Sequence, residues 1–287
     1  MSLALTISEL VESYREYLQL HEAANPKLLA LTRFDQRLAS CAEAARAEAA
    51  AFEFLRSRNL EPHLFEDPVT GGVDFECRPH SGSFAVEVTA LQDDTVSQRS
   101  GVENETFGAG YVDMSETVAL LRSRLSKKAS QASRYKGPRV LVIASTHIAS
   151  SMLFGTAAEE LLTGESQIVV PVGPHGATGE IHMGTELKNA AALRSVDGAV
   201  EVFRRKYALV LLLALHGNGC HVYGIAHPEP EHALDISTFP RVPFARLVWP
   251  IVENTLRVEW IVADPHPEQH YFLGIQPTTE ELKQGVS

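Results

Sequence analysis

Gly72-Val73-Asp74-Phe75-Glu76-Cys77 and, beyond a short connection, Phe84-Ala85-Val86-Glu87-Val88-Thr89 decide how this chain is read. Both runs are built mostly from β-forming residues. The intervening Arg78-Pro79-His80-Ser81-Gly82-Ser83 has the Pro, Gly and Ser content of a loop between paired strands. Period-two alternation puts Phe84, Val86 and Val88 on one face and Ala85, Glu87 and Thr89 on the other. The pattern predicts a hairpin in which Asp74, near the start of the first strand, and Glu87, within the second, meet at one spot. Two carboxylates converging from adjacent strands can hold a hard divalent cation. Mg²⁺ takes oxygen ligands at about 2.0–2.1 Å and keeps several waters. Glu76 shares the Asp74 face and is an auxiliary candidate, and His80 is a turn residue with the reach to overhang the spot.

The flanking segments extend this hairpin into a larger unit. Ala39 to Arg58 is rich in Ala, Glu and Leu and predicts a strong helix, with a short strand following at 61–65. Ser115 to Tyr135 predicts another helix, with Val118, Leu121, Leu125, Ala129 and Ala132 as its buried stripe. At about 100° per residue, Arg124, Lys128, Gln131 and Tyr135 fall on a strip beside that stripe. Arg139-Val-Leu-Val-Ile-Ala-Ser145 is a continuous apolar run, the pattern of a strand buried on both faces. A right-handed crossover through the preceding helix would pair it parallel to a central strand. The expected class is α/β, with an α-β-β-β-α-β core and a mixed sheet over about residues 38–146. A helical segment precedes it at 1–37, and residues 147–287 extend the same sheet.

This arrangement resembles the PD-(D/E)xK nuclease superfamily, with its restriction-endonuclease-like fold, in which an Asp and a later (D/E)-x-K tripeptide occupy consecutive strands. Asp74 stands at the first acid and Glu87 at the second, while Thr89 occupies the usual Lys position. Gln131-Ala132-Ser133-Arg134-Tyr135 is similar to the Q-h-x-x-Y pattern of the RecB-like branch. The resemblance implies Mg²⁺ or Mn²⁺ held by Asp74, Glu87 and the backbone carbonyl of Val88. It further implies an acid on the first helix, best matched by Glu48, seven positions before Leu55, with Glu43 and Glu53 as competitors. Lys128, or failing it Lys127, would supply the ammonium that Thr89 lacks, and Gln131 and Tyr135 would shape the site. The implied activity is metal-dependent phosphodiester hydrolysis on DNA, or less readily RNA. Thr89 equally admits an inactive scaffold that binds nucleic acid or a protein. In a third reading the acids at 74 and 87 only solubilise a strand edge.

Charge bears on the partner. The chain carries a net charge of −11 and a pI near 5.5, against a broad nucleic-acid surface. Thr117 to Ala158, however, contains no Asp or Glu. Within that segment Arg124, Lys127, Lys128 and Arg134 form a basic strip suited to phosphate contacts, which supply most nonspecific affinity. An ordinary solvated helix face is the other reading of that strip; the partner implied by the resemblance is DNA, and a homodimer is compatible with the sequence.

No run approaches the roughly 18 apolar residues that would span a bilayer, and the N-terminus lacks a signal-peptide pattern. Thr6-Ile7-Ser8-Glu9 reads as a helix-capping box. Three scattered cysteines, Cys41, Cys77 and Cys220, indicate neither a disulfide framework nor a zinc cluster. A cytoplasmic location is expected. In the second half, 151–162 reads as a helix, 168–172 and 179–183 as a hairpin, and 195–206 as a helix. Strands are expected at 207–215, 220–225 and 256–262. The histidines at 216, 221, 227, 232, 266 and 270 lack ligand spacing and read as surface or loop residues. No phosphate-binding Gly loop and no Gly-x-Ser-x-Gly element is present.

Overall fold

A computed structural model describes residues 5–65, 73–79, 82–104, 114–131, 135–169, 172–173, 176–177, 182–187, 190–216, 219–251 and 256–264. The predicted capping box is formed. Thr6 accepts from the Glu9 amide through its side chain, and Glu9 accepts from the Thr6 amide at 2.7 Å, starting α1 (Ile7–Ala24). Helix α2 (Ala30–Ser40), not anticipated, and α3 (Ala42–Arg56) pack beside it. Strands β1 (Pro62–Leu64), β2 (Phe75–Cys77) and β3 (Phe84–Ala90) follow as an antiparallel set. A short helix, α4 (Asp93–Ser100), precedes α5 (Met114–Gln131), and β4 (Arg139–Ser145) then pairs parallel to β3.

Expectation and structure separate in the second half. Helix α6 (Ser150–Thr163) stops at Gly164 as expected. The predicted hairpin exists, with β5 (Glu165–Val169) pairing β8 (His182–Glu186) around the smaller pair β6 (Val172–Gly173) and β7 (Gly176–Ala177). These strands form separate two-stranded sheets and do not extend the main one. The helix expected at 195–206 is instead a hairpin of β9 (Leu193–Val196) and β10 (Ala199–Val202). Asp197 and Gly198 turn it with φ of 50° and 83°, the two left-handed residues of a tight hairpin turn that Asp-Gly favours. The β-branched Val196, Val200 and Val202 support the strands.

Strands β11 (Leu209–His216), β12 (Gly219–Ala226), β13 (Pro243–Leu247) and β14 (Val258–Val262) do rejoin the main sheet. Among the described residues that sheet has eight strands, ordered β1-β2-β3-β4-β11-β12-β13-β14. The β3/β4, β4/β11 and β12/β13 pairs are parallel and the rest antiparallel. Two helical layers cover it. Leu10, Tyr14, Phe34, Phe52 and Leu55 of α1–α3 pack against Phe75, Phe84, Val86, Val140 and Val142. On the other face Val118, Leu121, Leu125 and Ala129 of α5, with Phe154 and Leu161 of α6, meet Leu141, Ile143, Val210 and Leu212. Each such buried Leu or Phe contributes roughly 1.5–3 kcal/mol. Alternation in β3 thus directs Phe84 and Val86 toward one layer and turns Glu87 toward α5. No helix among the described residues is long and apolar enough to cross a membrane.

Candidate active site

Asp74 lies one residue ahead of β2. The paired β2–β3 register ends at Phe75 and Val86. The Asp74 amide donates to the Val86 carbonyl at 3.0 Å, so the chain leaves that register at Asp74. The Glu87 carboxylate and the Lys128 ammonium both act on the Asp74 carboxyl, which places the three groups near one another. The Val88 amide donates to Asp74 Oδ2 at 2.6 Å and fixes the carboxylate against β3.

Glu87 is only 5% exposed, and both its oxygens are engaged. Lys128, from α5, places Nζ 2.9 Å from Oε1, and the Tyr207 hydroxyl donates to Oε2 at 2.6 Å. The helix stripe explains the reach of Lys128. With Leu125 and Ala129 docked on the sheet, Lys128 projects from the margin of the buried face toward β3. Burial first, then the Glu87 charge and the hydrogen bond to it, push the Tyr207 phenol far up, so it acts as a donor. Tyr207 comes from the entrance to β11 and was not foreseen as a site residue. Its only signal in sequence is a hydroxyl-bearing aromatic at the mouth of an apolar strand.

Glu48 is the acid of α3 that belongs to this centre. It is 5% exposed, accepts from the Tyr14 hydroxyl at 2.7 Å, and is paired with Arg37 at 2.8 Å. Neither Tyr14 nor Arg37 was anticipated here. Glu53, its competitor, pairs with Arg56 and Ser13, and Glu76 pairs with Arg78 at 2.6 Å. Asp74 is caught between the two ends of this chain of charges. Burial raises its carboxyl most, and Glu48 next; the Val88 amide and Lys128 pull it back before Glu87 adds a smaller rise. The result is about 7. Three acids thus converge with two paired cations, and Asp74 is the member with neither.

The remaining predicted residues are less central. Arg124 is half-buried and Lys127 exposed on α5. The side chain of Gln131, the whole of Arg134 and His80 lie outside the described residues. Tyr135 is not on the helical strip, because it lies outside any helix, just ahead of Gly137-Pro138. Its ring meets Phe65 edge-on at 6.2 Å, its hydroxyl reaches Ser83 Oγ at 3.5 Å, and its carbonyl accepts from the buried Arg139. Thr89 is half-buried on β3, in register with Ile143 of β4.

A second polar cluster lies at the far ends of β3 and β4. Asp93 accepts from Thr146 Oγ1 at 3.0 and 2.9 Å and from Asn104 Nδ2 at 3.0 Å. His147 Nδ1 accepts from the Ala149 amide at 3.2 Å, which leaves the proton on Nε2, facing the Val102 carbonyl and Ser97 Oγ. Burial, the largest influence, lowers the imidazole's affinity for a second proton. With Nδ1 occupied and Nε2 protonated, His147 has no lone pair to activate Ser97, so this is a structural clamp.

Among the described residues no group of three or more His, Cys, Asp and Glu is arranged to hold a metal ion. Compared with family models, with curated proteins and with solved structures, the chain matches none.

Proposed function

We propose that the chain is a metal-dependent phosphodiester hydrolase with a restriction-endonuclease-like core, acting on DNA in preference to RNA. The observation that carries this reading is the Lys128 ammonium on the buried Glu87 of β3, with the Asp74 carboxylate held against the next residue of that strand by the Val88 amide. Thr89 leaves the ammonium position on β3 empty, and α5 brings one to the same carboxylate. The element order α3-β1-β2-β3-α5-β4, with α4 inserted, supports the same reading.

The donor set suits a hard cation. Asp74, Glu87 and the Val88 carbonyl are all oxygen donors, and crowding of Asp74 by Glu48 and Glu87 would be relieved by positive charge. The Val88 amide faces Asp74, and in a strand the carbonyl of the same residue opens to the same edge. These three groups would hold Mg²⁺ or Mn²⁺ together with waters. When bound there, the ion would supply Lewis acidity toward a phosphoryl oxygen and acidify a water. The chain's own residues do the positioning: Tyr207 orients Glu87, the Val88 amide orients Asp74, and Lys128 offers positive charge to an incoming phosphate. Glu48 keeps the far side of Asp74 negative.

A second reading keeps the scaffold without the cleavage. It is favoured by the saturation of Glu87, whose two oxygens already serve Lys128 and Tyr207. Plasmid nicking separates the two. Activity with Mg²⁺ or Mn²⁺, abolished by Glu87→Ala and strongly reduced by Asp74→Ala and Lys128→Ala, is the expected result. Wild-type protein that retains DNA in a gel shift and cuts it with neither cation would leave only the second reading.

A further inference from the structure

We infer that a basic trough on the other flank of α5 binds the backbone of a phosphodiester chain. Lys128 faces Glu87 from one side of the helix, whereas Ser126, about 200° around it, lines a cleft of about 690 Å³ on the other. The opposite wall is Phe203-Arg204-Arg205-Lys206, the connection from β10 to β11, with Glu231 as the one acid among the lining residues. A second cavity of about 400 Å³ shares Phe203 and Arg204 and continues to Arg194 and Ser195 on β9. Arg204 thus borders both cavities, and together they offer more room than a lone phosphate fills.

The cations of this channel are poorly compensated. Arg204 spends one guanidinium hydrogen bond on the Ala191 carbonyl, at 3.2 Å, and has no carboxylate partner among the described residues. Its φ of 54° is a left-handed conformation unusual for a non-glycine residue, and its guanidinium stacks over Phe203, 4.4 Å from the ring centroid. Lys206 makes no ion pair among the described residues. Arg122 of α5 adds a repelling charge close enough to act on Arg204. Arg205 is partly committed, to the Glu229 carbonyl at 2.7 Å and its carboxylate at 3.8 Å, and Arg194 is paired with Glu201. In a protein with a net charge of −11, such a concentration of cations in a concavity selects a polyanion. Lys206 is followed directly by Tyr207, whose hydroxyl is on Glu87, so the trough is tied to the proposed reaction centre. That connection rests on the hydrolase reading; anion binding in the trough does not.

The test is anisotropy of a labelled 20-nucleotide single strand with the full chain in EDTA, where cleavage cannot contribute. Arg204→Ala/Lys206→Ala should weaken binding by about tenfold at low salt and flatten the salt dependence by nearly two phosphate contacts. Lys27→Ala/Arg46→Ala, a matched loss of two charges on the helical layer across the sheet, should leave both within twofold. Equal loss in the two variants, or wild-type protein that does not bind the oligonucleotide, overturns the inference. So does displacement by AMP or inorganic phosphate at the same total phosphate concentration, which would mark a single-phosphate site. Binding that falls as expected in a protein that never nicks plasmid leaves the trough standing and removes the hydrolase reading. Nicking with oligonucleotide binding untouched by the double variant does the reverse.

Discussion

Two buried polar regions sit on the same pair of strands and are wired differently. At the ends of β3 and β4, Asp93 accepts from the Thr146 hydroxyl, shared between its two oxygens, and from Asn104, and His147 is satisfied at both nitrogens. Midway along β3, three acids converge, two of them paired, and Asp74 is left with a backbone amide. A region whose donors and acceptors are matched holds loops in place. One whose charges are mismatched stores energy that a further cation could release, and that mismatch marks the second region as the candidate centre.

Removing the ammonium should break the contrast most severely. Lys128→Met leaves Glu87 buried with only a phenol partner, and a loss of about 3 kcal/mol in chemical denaturation is expected. Most of that loss should return in Lys128→Met/Glu87→Gln. A Lys128→Met protein as stable as wild type would mean that the pair contributes little and that the centre is no more strained than the Asp93 clamp.

Asp74→Asn should act with the opposite sign. The folded carboxyl titrates at about 7, above its ordinary 3.8, so the folded state binds the proton more tightly. The cost of ionising Asp74 is therefore absent below about pH 4, grows between pH 4 and 7, and is complete above 7. In EDTA, Asn, which can still accept from Val88, should stabilise the protein at pH 8 by about 1–3 kcal/mol and leave it unchanged at pH 4. A melting temperature that falls at pH 8 would place Asp74 among satisfied residues. The smallest effect is expected in the matched region. Thr146→Val should cost about 1 kcal/mol, with the same value at pH 6 and pH 8; a larger loss at one pH than the other would show that this cluster too carries unbalanced charge.

The pattern of what could be read from sequence follows the range of the interactions. Period-two alternation around Glu87 and the apolar run of β4 are local, and both elements came out as expected, β4 to the residue. The α5 stripe sets Lys128 on a strip beside the buried face, but helical periodicity names no partner, and the ion pair with Glu87 is legible only in the fold. Across 195–206, where a helix is expected, the two-residue Asp197-Gly198 turn with positive φ outweighs helical propensity. Tyr207 and Arg37 reach the centre from 120 and 11 positions away from Glu87 and Glu48. No periodicity encodes such contacts, so the polar frame of the carboxylates was invisible while the carboxylates themselves were not.

The seven residues of β4 are all buried, with β3 on one side and β11 on the other, both parallel. A polypeptide ending near residue 146 would therefore carry an uncapped apolar ribbon, an open template for pairing with other copies. It would also lack the phenol that steadies Glu87. The half of the molecule that begins with α6 is thus a structural necessity for the half that bears the acids, and expression of residues 38–146 alone should yield aggregate.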